Sequence, residues 1–316
     1  MSILNFSVIS RLILAIRAGE PVRPYALRGF DGTSFVEALA ILSQLPALES
    51  LVLNFRSHDG PFSTGSDSSF PPEIVLQFLI FKALGEIEPG FASPLKSLTI
   101  NRLLPLPHPS FRERAILKLL STLTHLTINT TANCEAFGMS DPQSDTAVSR
   151  VFPKEALSSS LVSLQLHHVC LRSPNMVAPI TEIRLPHLTH LSLQRHYFSG
   201  RCEVENFITR HGETLVELKL FLCPMTLSPE KKSSNHSKRP RQWAQVWDRF
   251  RSELKVLKYL VVSERNDSNG VEDSSLGRYI DNPSSCKAVN LGRAETNDDE
   301  NAYKRLQEVV ESRVQV

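Results

Sequence analysis

Histidine is the residue type in this sequence that comes closest to forming a chemical site. The chain has 10 histidines, and the pairs His187-x-x-His190 and His167–His168 have spacings found among metal ligands. His125, His167 and His190 also fall at outward positions of three successive predicted strands, which would allow a three-histidine site on one sheet face. No Cys, Asp or Glu stands at the matching strand positions of these repeats. We therefore predict no metal site, and a polar, weakly basic stripe instead.

The sequence has no motif of the common catalytic or nucleotide-binding sites. It contains no G-x-S-x-G, phosphate-binding loop, G-x-G-x-x-G or H-E-x-x-H. Its 13 glycines are scattered and never form a run that could cradle a phosphate. We therefore predict that the protein is not an enzyme and that it holds no cofactor.

The composition is that of a globular protein with a sizeable core. Of the 316 residues, 41% are hydrophobic and 22% are charged, and the net charge is only +2, so no overall field favours nucleic acid or an anionic membrane. No apolar run reaches the roughly 18 residues of a membrane span. The 5 cysteines are odd in number and scattered, which indicates reduced thiols. We predict a cytoplasmic protein, with the nucleus as the alternative, and neither nucleic acid nor membrane as a partner.

A repeated leucine motif organises most of the chain. The pattern Leu-x-x-Leu-x-(Leu/Ile/Val) occurs seven times, and a relaxed eighth copy begins at Ile9. The seven copies begin at Leu48, Leu95, Leu123, Leu161, Leu188, Leu215 and Leu257. Three of the intervals are 27 or 28 residues, within the range of leucine-rich repeats. Because side chains alternate along a strand, the fourth and sixth residues face inward and the third and fifth face outward.

Segments with helical periodicity separate these predicted strands. They are residues 34–45, 72–84, 109–120, 203–213 and 243–254. In the last of them, Trp243, Val246, Phe250 and Leu254 fall at helical spacing and form one apolar stripe. The repeated order of helix, turn and short strand predicts an α/β leucine-rich-repeat solenoid. Such a solenoid has a curved parallel sheet and helices on its convex side, and the repeats here are irregular.

These features resemble the leucine-rich-repeat region of fungal F-box-like proteins. The resemblance is carried by the LPxLxxLxL units with long insertions, by "WAQVWDRF" (243–250) and by the final "LQEVVESR" (306–313). The stretch "LVELKLFLC" (215–223) is similar to the cysteine-containing subtype, although a small apolar core residue at Cys223 explains it equally well. The resemblance covers about residues 9–316. It implies the substrate-recognition part of an SCF-type ubiquitin ligase receptor.

One departure from that family concerns the N-terminus. The family pattern begins with an F-box of about forty residues that holds the Skp1 adaptor, whereas the first repeat-like strand here begins near residue 9. We expect either a truncated reading frame, with an F-box and its Skp1 contact upstream, or a member without the ligase connection. In the second case the protein is a stand-alone scaffold or a degenerate relic.

Three parts make up the predicted domain organisation. Residues 1–263 form the solenoid, with loop insertions near 56–70, 130–148 and 226–242. Residues 264–300 form a polar, partly disordered segment, and residues 301–316 form a C-terminal helix that caps the last repeat. The third insertion carries Lys231, Lys232, Lys238, Arg239 and Arg241. Two readings of these basic residues stay open, a bipartite-like nuclear localisation signal and a solvated loop.

The outward strand positions give the candidate site. They predict a concave face of small polar groups and histidines that binds a protein partner, although ordinary solvation of a sheet face would produce the same pattern. The candidate residues are Asn101, His125, Asn129, Gln165, His167, His190, Gln194, Lys219 and Phe221. Phe221 is the expected anchor, because aromatic residues dominate the energetics of interfaces.

Overall fold

The computed structural model shows a mixed α/β protein that divides into two compact units, Met1–Leu161 and Val162–Val316. It describes residues 11–16, 45, 48–55, 77, 79–84, 94–103, 114–130, 160–168, 184–200, 202–227, 241–263, 279–280 and 293–315. None of the helices within these ranges is long and apolar enough to cross a membrane.

The first unit contains four parallel strands that pair in chain order. They are β1 (Arg11–Ile16), β2 (Ser50–Phe55), β3 (Ser97–Leu103) and β4 (His125–Thr130). Helix α1 (Arg114–Thr122) connects β3 to β4, and residues 77 and 79–84, between β2 and β3, are also helical. The helix expected at 34–45 and the insertions near 56–70 and 130–148 lie outside the described residues, apart from Leu45 and Thr130.

The second unit repeats this arrangement of parallel strands. Its parallel strands are β5 (Ser163–His168), β6 (His190–Gln194), β7 (Glu217–Phe221) and β9 (Tyr259–Ser263). Two further strands, β8 (Met225–Thr226) and β10 (Tyr279–Ile280), form a small ladder of their own. The helices are α2 (Glu203–Arg210), α3 (Trp243–Glu253) and α4 (Arg293–Val314).

The strand positions predicted from the leucine motif are confirmed. Each of the eight parallel strands begins at the third residue of a motif copy, as Ser50 follows Leu48 and His190 follows Leu188. The first, fourth and sixth residues of the copies beginning at residues 48–215 are buried. The inward side chains of the strands therefore supply the core of each unit, as the period of two requires.

Two predicted outward positions are buried instead. Val52 is 5% exposed and Ser192 is 7% exposed. Ser192 is a small residue between the longer side chains of Gln165 and Lys219 on the neighbouring strands, and these cover it. Val52 stands opposite Thr99 on β3, a side chain of similar size. Alternation predicts the side of the sheet correctly, but it does not predict how far a neighbour shields a short side chain.

The same left-handed turn occurs at the end of three of the strands. Arg102, Arg195 and Leu222 have left-handed backbone conformations, with φ of 62°, 59° and 51°, and each stands two residues after the last inward residue of its motif. Non-glycine residues rarely adopt this conformation, so its recurrence at one motif position marks a shared local structure. The repeated unit therefore includes the turn as well as the strand.

The residue after this turn binds the preceding repeat in two cases. His196 is buried, and its Nε2 donates a hydrogen bond to the Leu166 carbonyl oxygen at 3.2 Å. Cys223 occupies the equivalent position, and its Sγ donates to the Leu193 carbonyl oxygen at 3.5 Å. This is the position of the Asn or Cys in the leucine-rich-repeat pattern, where a side chain satisfies backbone groups between neighbouring units.

The C-terminal helix begins earlier than the sequence predicted. It begins at Arg293 rather than at residue 301, and Tyr279–Ile280 form a strand, so part of the predicted polar, disordered segment has regular structure. The acidic residues Asp298, Asp299 and Glu300 lie inside this helix. Asp299 is buried and accepts the Ala244 N–H at 2.6 Å and the Tyr279 hydroxyl at 2.6 Å. The apparent polarity of this stretch thus reflects the capping of a different helix, α3.

An aromatic cluster forms the core around α3. Trp243 and Trp247 stack with ring centroids 4.7 Å apart, and both indoles are fully buried. Phe198 packs against Trp243 at 4.7 Å, and Tyr303 of α4 meets Trp247 edge to face at 5.3 Å. The predicted apolar stripe of α3 therefore faces the core, and α4 packs against the same helix.

Candidate functional site

The outward face of the second unit is ordered in three rows by the strand register. The first row contains Ser163, His190, Glu217 and Tyr259, the second contains Gln165, Ser192, Lys219 and Val261, and the third contains His167, Gln194, Phe221 and Ser263. Six of the nine candidate residues lie on this face. All six keep some solvent exposure, so the structure brings them onto one accessible surface.

A small charged cluster lies in the middle of this face. Glu217 accepts an ion pair from Lys219 at 2.6 Å, and His190 Nε2 lies 3.6 Å from the other carboxylate oxygen. All three side chains are partly exposed, so their mutual attraction contributes little to stability. Their donors and acceptors are instead available to a partner. Glu217 was not among the candidate residues, although its position opposite His190 follows from the aligned motifs.

The repeated Leu-Thr-His-Leu sequence has a local structural role. Thr124 donates its hydroxyl to the Lys96 carbonyl oxygen at 3.1 Å and lies 2.8 Å from Nδ1 of His125. Thr189 makes the same contacts, to the Val162 carbonyl oxygen at 3.3 Å and to Nδ1 of His190 at 2.6 Å. In each unit, therefore, a threonine ties its strand to the preceding one and fixes the orientation of an exposed imidazole.

The face becomes apolar at its last strand. Tyr259 is 54% exposed and Val261 is 40% exposed, and Phe221, which stands opposite Ser263 on β7 and diagonal to Val261, is half-buried. Large apolar side chains that stay this exposed in a cluster are typical of interaction sites. Phe221 was predicted from its motif, whereas Tyr259 and Val261 were missed. The outward positions of the motif at Leu257 would have identified both residues.

In the first unit, three candidate residues lie on the corresponding strand face. The asparagines of the predicted row are hydrogen-bonded to one another: Asn101 Nδ2 donates to Asn54 Oδ1, and Asn129 Nδ2 donates to Asn101 Oδ1. His125 lies at the other end of β4, opposite Ser97. The amides therefore satisfy much of their own hydrogen-bonding capacity, which leaves His125 as the most exposed candidate in this unit.

The strand spacing would allow a three-histidine site, but His167 and His190 do not share a row of the register. His190 stands opposite Ser163, whereas His167 stands opposite Gln194, at the other end of the strand. Burial lowers the pKa of His167, whose Nε2 lies 3.3 Å from the Ser192 hydroxyl. Within the described ranges there is no group of three or more His, Cys, Asp or Glu residues that could hold a metal ion.

The two described cysteines are free thiols with raised pKa values. Burial raises the pKa of the Cys223 thiol to about 12, even though the residue as a whole keeps some exposure. Burial and the neighbouring Glu205 carboxylate raise the pKa of Cys202. Because the thiolate is the reactive form, neither cysteine is activated as a nucleophile.

The one described residue of the basic insertion cluster is part of an ion pair. Arg241 donates to Glu205 through Nε at 3.1 Å and through Nη2 at 2.5 Å, and Glu205 is fully buried. Arg249 of α3 lies 3.6 Å from the same carboxylate. Arg241 therefore connects the start of α3 to α2, and its guanidinium group is already paired with the Glu205 carboxylate. The four other basic residues of the cluster lie outside the described residues.

Comparison with known proteins finds no family model, curated protein or solved structure that matches this chain.

Proposed function

We propose that the protein is a protein-interaction module and that its partner binds the outward face of β5, β6, β7 and β9. The observation that carries this proposal is the exposure of Tyr259 and Val261 on the last strand of a face that is otherwise polar, with Phe221 diagonal to Val261 on β7. Protein interfaces commonly combine an apolar, aromatic centre with a polar rim that supplies hydrogen bonds. On this surface, Lys219, Glu217 and His190 supply that rim.

The fold we propose for this module is a leucine-rich-repeat solenoid with a curved parallel sheet and helices on the convex side. This proposal is supported because the same local structure recurs from one motif copy to the next. The strands begin at one motif position, the left-handed turn recurs after them, and His196 and Cys223 contact the preceding repeat in the same way. Solenoids of this kind commonly recognise other proteins through their concave face.

The role we propose for the module is substrate recognition for an SCF-type ubiquitin ligase. This proposal rests on the resemblance of the repeats to fungal F-box-like proteins, and it requires an F-box and its Skp1 contact outside the given sequence. The alternative is a stand-alone leucine-rich-repeat scaffold, or a relic without a ligase role. We place the protein in the cytoplasm, with the nucleus as the alternative, because Cys202 and Cys223 are free thiols.

Co-purification from the protein's own cells tests the proposal. Tagged wild type is compared with a Lys219→Ala/Phe221→Ala variant, and bound proteins are quantified together with Skp1 and cullin. A Lys304→Ala/Glu308→Ala variant is the matched control, because both residues are exposed on α4, away from the strand face. We expect specific partners that the face variant loses and the control retains.

The outcomes separate the candidate functions. Stoichiometric Skp1 and cullin support the ligase receptor, whereas specific partners without them support the scaffold. Equal capture by the face variant and the control contradicts recognition through this face, and the absence of any specific partner supports the relic.

A further inference from the structure

Among the strands that the structure describes, β9 is the edge strand of the second unit. The Tyr259 N–H donates to the Val216 carbonyl oxygen at 3.0 Å, and the Ser263 carbonyl oxygen accepts the Leu222 N–H at 2.8 Å, so these backbone groups point toward β7. Because successive residues of a strand direct their backbone groups to opposite sides, those of Leu260 and Val262 point away from β7. In the part of the chain that the structure describes, no strand pairs with this edge.

Among the described residues of this unit, helix α4 comes after the last strand in the sequence. Helices α2 and α3 are each followed by a strand that adds to the sheet, β7 and β9. Helix α4 packs against α3, where Arg305 lies 3.3 Å from Asp248, and it also contacts β9. Among the described residues, α4 is therefore the element that packs next to the edge strand β9.

The side chains of β9 are exposed on both faces of the sheet. Tyr259 and Val261 project from the outward face. Leu260 and Val262 on the inward face are only half-buried, whereas their register partners Leu218 and Leu220 are 0% and 1% exposed. The difference follows from position, because among the described strands β7 has a neighbour on each side and β9 has a neighbour on one side. A strand added to this edge would bury apolar surface on both faces.

The charge at this edge is positive. Lys258 is exposed at the start of β9, and within the described residues its side chain has no hydrogen bond or ion pair. Lys255 is also exposed nearby, and within the described part of the chain its ammonium group donates to the Ser252 carbonyl oxygen alone. A cross-strand carboxylate would be attracted here, and a cross-strand lysine would be repelled.

We propose that the edge of β9 binds an extended segment of a partner protein by strand addition. The segment has alternating apolar side chains, which pack against Tyr259 and Val261 on one face and against Leu260 and Val262 on the other. It carries an acidic residue beside Lys258. Backbone hydrogen bonds to Leu260 and Val262 supply affinity, and the alternate side chains supply specificity, as in other cases of strand addition. This interaction goes beyond the proposed recognition by the strand face, because it uses backbone groups at the edge.

Fluorescence anisotropy with a labelled synthetic peptide tests the proposal. The peptide has about seven residues, a typical strand length, with alternating valine and threonine and a glutamate at each end. The matched control peptide has lysines in place of the glutamates. We expect saturable binding of the glutamate peptide by the full chain, with a preference of roughly two- to fivefold over the lysine peptide, as a solvent-exposed ion pair would give.

Two variants make the test specific to the edge. Leu260→Pro removes an N–H that points away from β7, a position where an edge strand tolerates proline, and should weaken binding roughly tenfold. Leu260→Val keeps this N–H and should bind as the wild type does. Lys258→Glu should reverse the preference between the two peptides, and it serves as an independent readout because the residue is exposed.

Several outcomes would overturn the proposal. These are the absence of saturable binding, equal binding by Leu260→Pro and Leu260→Val, and an unchanged peptide preference in Lys258→Glu. A doubled mass in light scattering that Leu260→Pro abolishes would instead assign the edge to a second copy of this chain. Loss of partner capture in the Lys219→Ala/Phe221→Ala variant with unchanged peptide binding would separate the face from the edge.

Discussion

Asp299 of the last helix accepts the backbone N–H of Ala244 at 2.6 Å, although the two residues are 55 positions apart in the sequence. Its second carboxylate oxygen accepts a hydrogen bond from the Tyr279 hydroxyl at 2.6 Å. The Tyr279 hydroxyl oxygen in turn accepts one from the backbone N–H of Trp243 at 2.8 Å. One buried carboxylate therefore satisfies the first turn of α3 and links α4 to the aromatic core.

We expect Asp299→Ala to destabilise the second unit by about 1–3 kcal/mol, because it removes a helix cap and leaves buried donors without their acceptor. Asp299→Asn, which keeps one acceptor oxygen, should cost less. The free energy of unfolding in urea measures both effects. A cost for Asp299→Ala no larger than that of the exposed control Glu308→Ala would show that the cap is unimportant.

The alternation of inward and outward residues is tested by comparing neighbours on one strand. Leu191→Ala and Leu218→Ala should each cost roughly 2–5 kcal/mol, since both side chains are almost completely buried. His190→Ala removes an exposed ring and one weak ion pair, so it should change stability by less than about 0.5 kcal/mol. Thermal melts measure all three. Equal damage by His190→Ala and Leu191→Ala would contradict the proposed face.

Acid should destabilise the protein through His211. Its Nδ1 donates to the Phe207 carbonyl oxygen at 2.8 Å and its Nε2 accepts the Leu185 N–H at 3.2 Å, an arrangement that requires the neutral ring. Burial, together with the neighbouring Arg210, lowers the pKa of His211 below its ordinary 6.5. Between that folded-state value and 6.5, the unfolded chain binds more protons, so stability is fully present above pH 6.5 and falls as the pH drops below it.

The pH dependence can be isolated with His211→Gln, whose amide can donate to Phe207 and accept from Leu185. The free energy of unfolding of this variant, measured from pH 8 to pH 5, should change less with pH than that of the wild type. The two curves are compared by slope, so any constant cost of the substitution cancels. Parallel curves would contradict a contribution from His211.

The contact between repeats at His196 predicts which substitutions are tolerated there. His196→Ala leaves the Leu166 carbonyl oxygen without its side-chain donor and should cost about 1–3 kcal/mol. His196→Asn keeps a donor, and asparagine is common at this motif position, so it should cost less. Urea unfolding of both variants measures the difference. If Ala were the better-tolerated residue, the hydrogen bond would not be what this position contributes.

The strands could be predicted from the sequence because their signal is local and repeated. The fourth and sixth residues of each motif copy predict which side chains face inward. Leu98 and Ile100, or Leu218 and Leu220, are therefore identified without knowledge of the rest of the chain. Tyr259 and Val261 were available from the same pattern. His196 was missed because the expected residue at its position is Asn or Cys.

The remaining features depend on contacts between distant segments. Nothing near Asp299 in the sequence indicates that its partner is the first turn of a helix near residue 244, so it was assigned to the polar, partly disordered segment. Arg241 was read as part of a basic cluster because its partner Glu205 lies 36 residues away. The position of β9 at the edge likewise depends on which of the described strands pair, and a single motif does not predict this pairing.

The stacked indoles of Trp243 and Trp247 allow spectroscopy to follow the second unit separately from the first. The chain has only these 2 tryptophans, both in the second unit, so intrinsic fluorescence reports on that unit and leaves Met1–Leu161 silent. Two rings 4.7 Å apart should also couple their electronic transitions and give a near-ultraviolet dichroic signal that vanishes when the stack loosens. Far-ultraviolet dichroism sees both units. Whether these spectra change together on heating would reveal if the halves of the chain melt as one cooperative body or in turn.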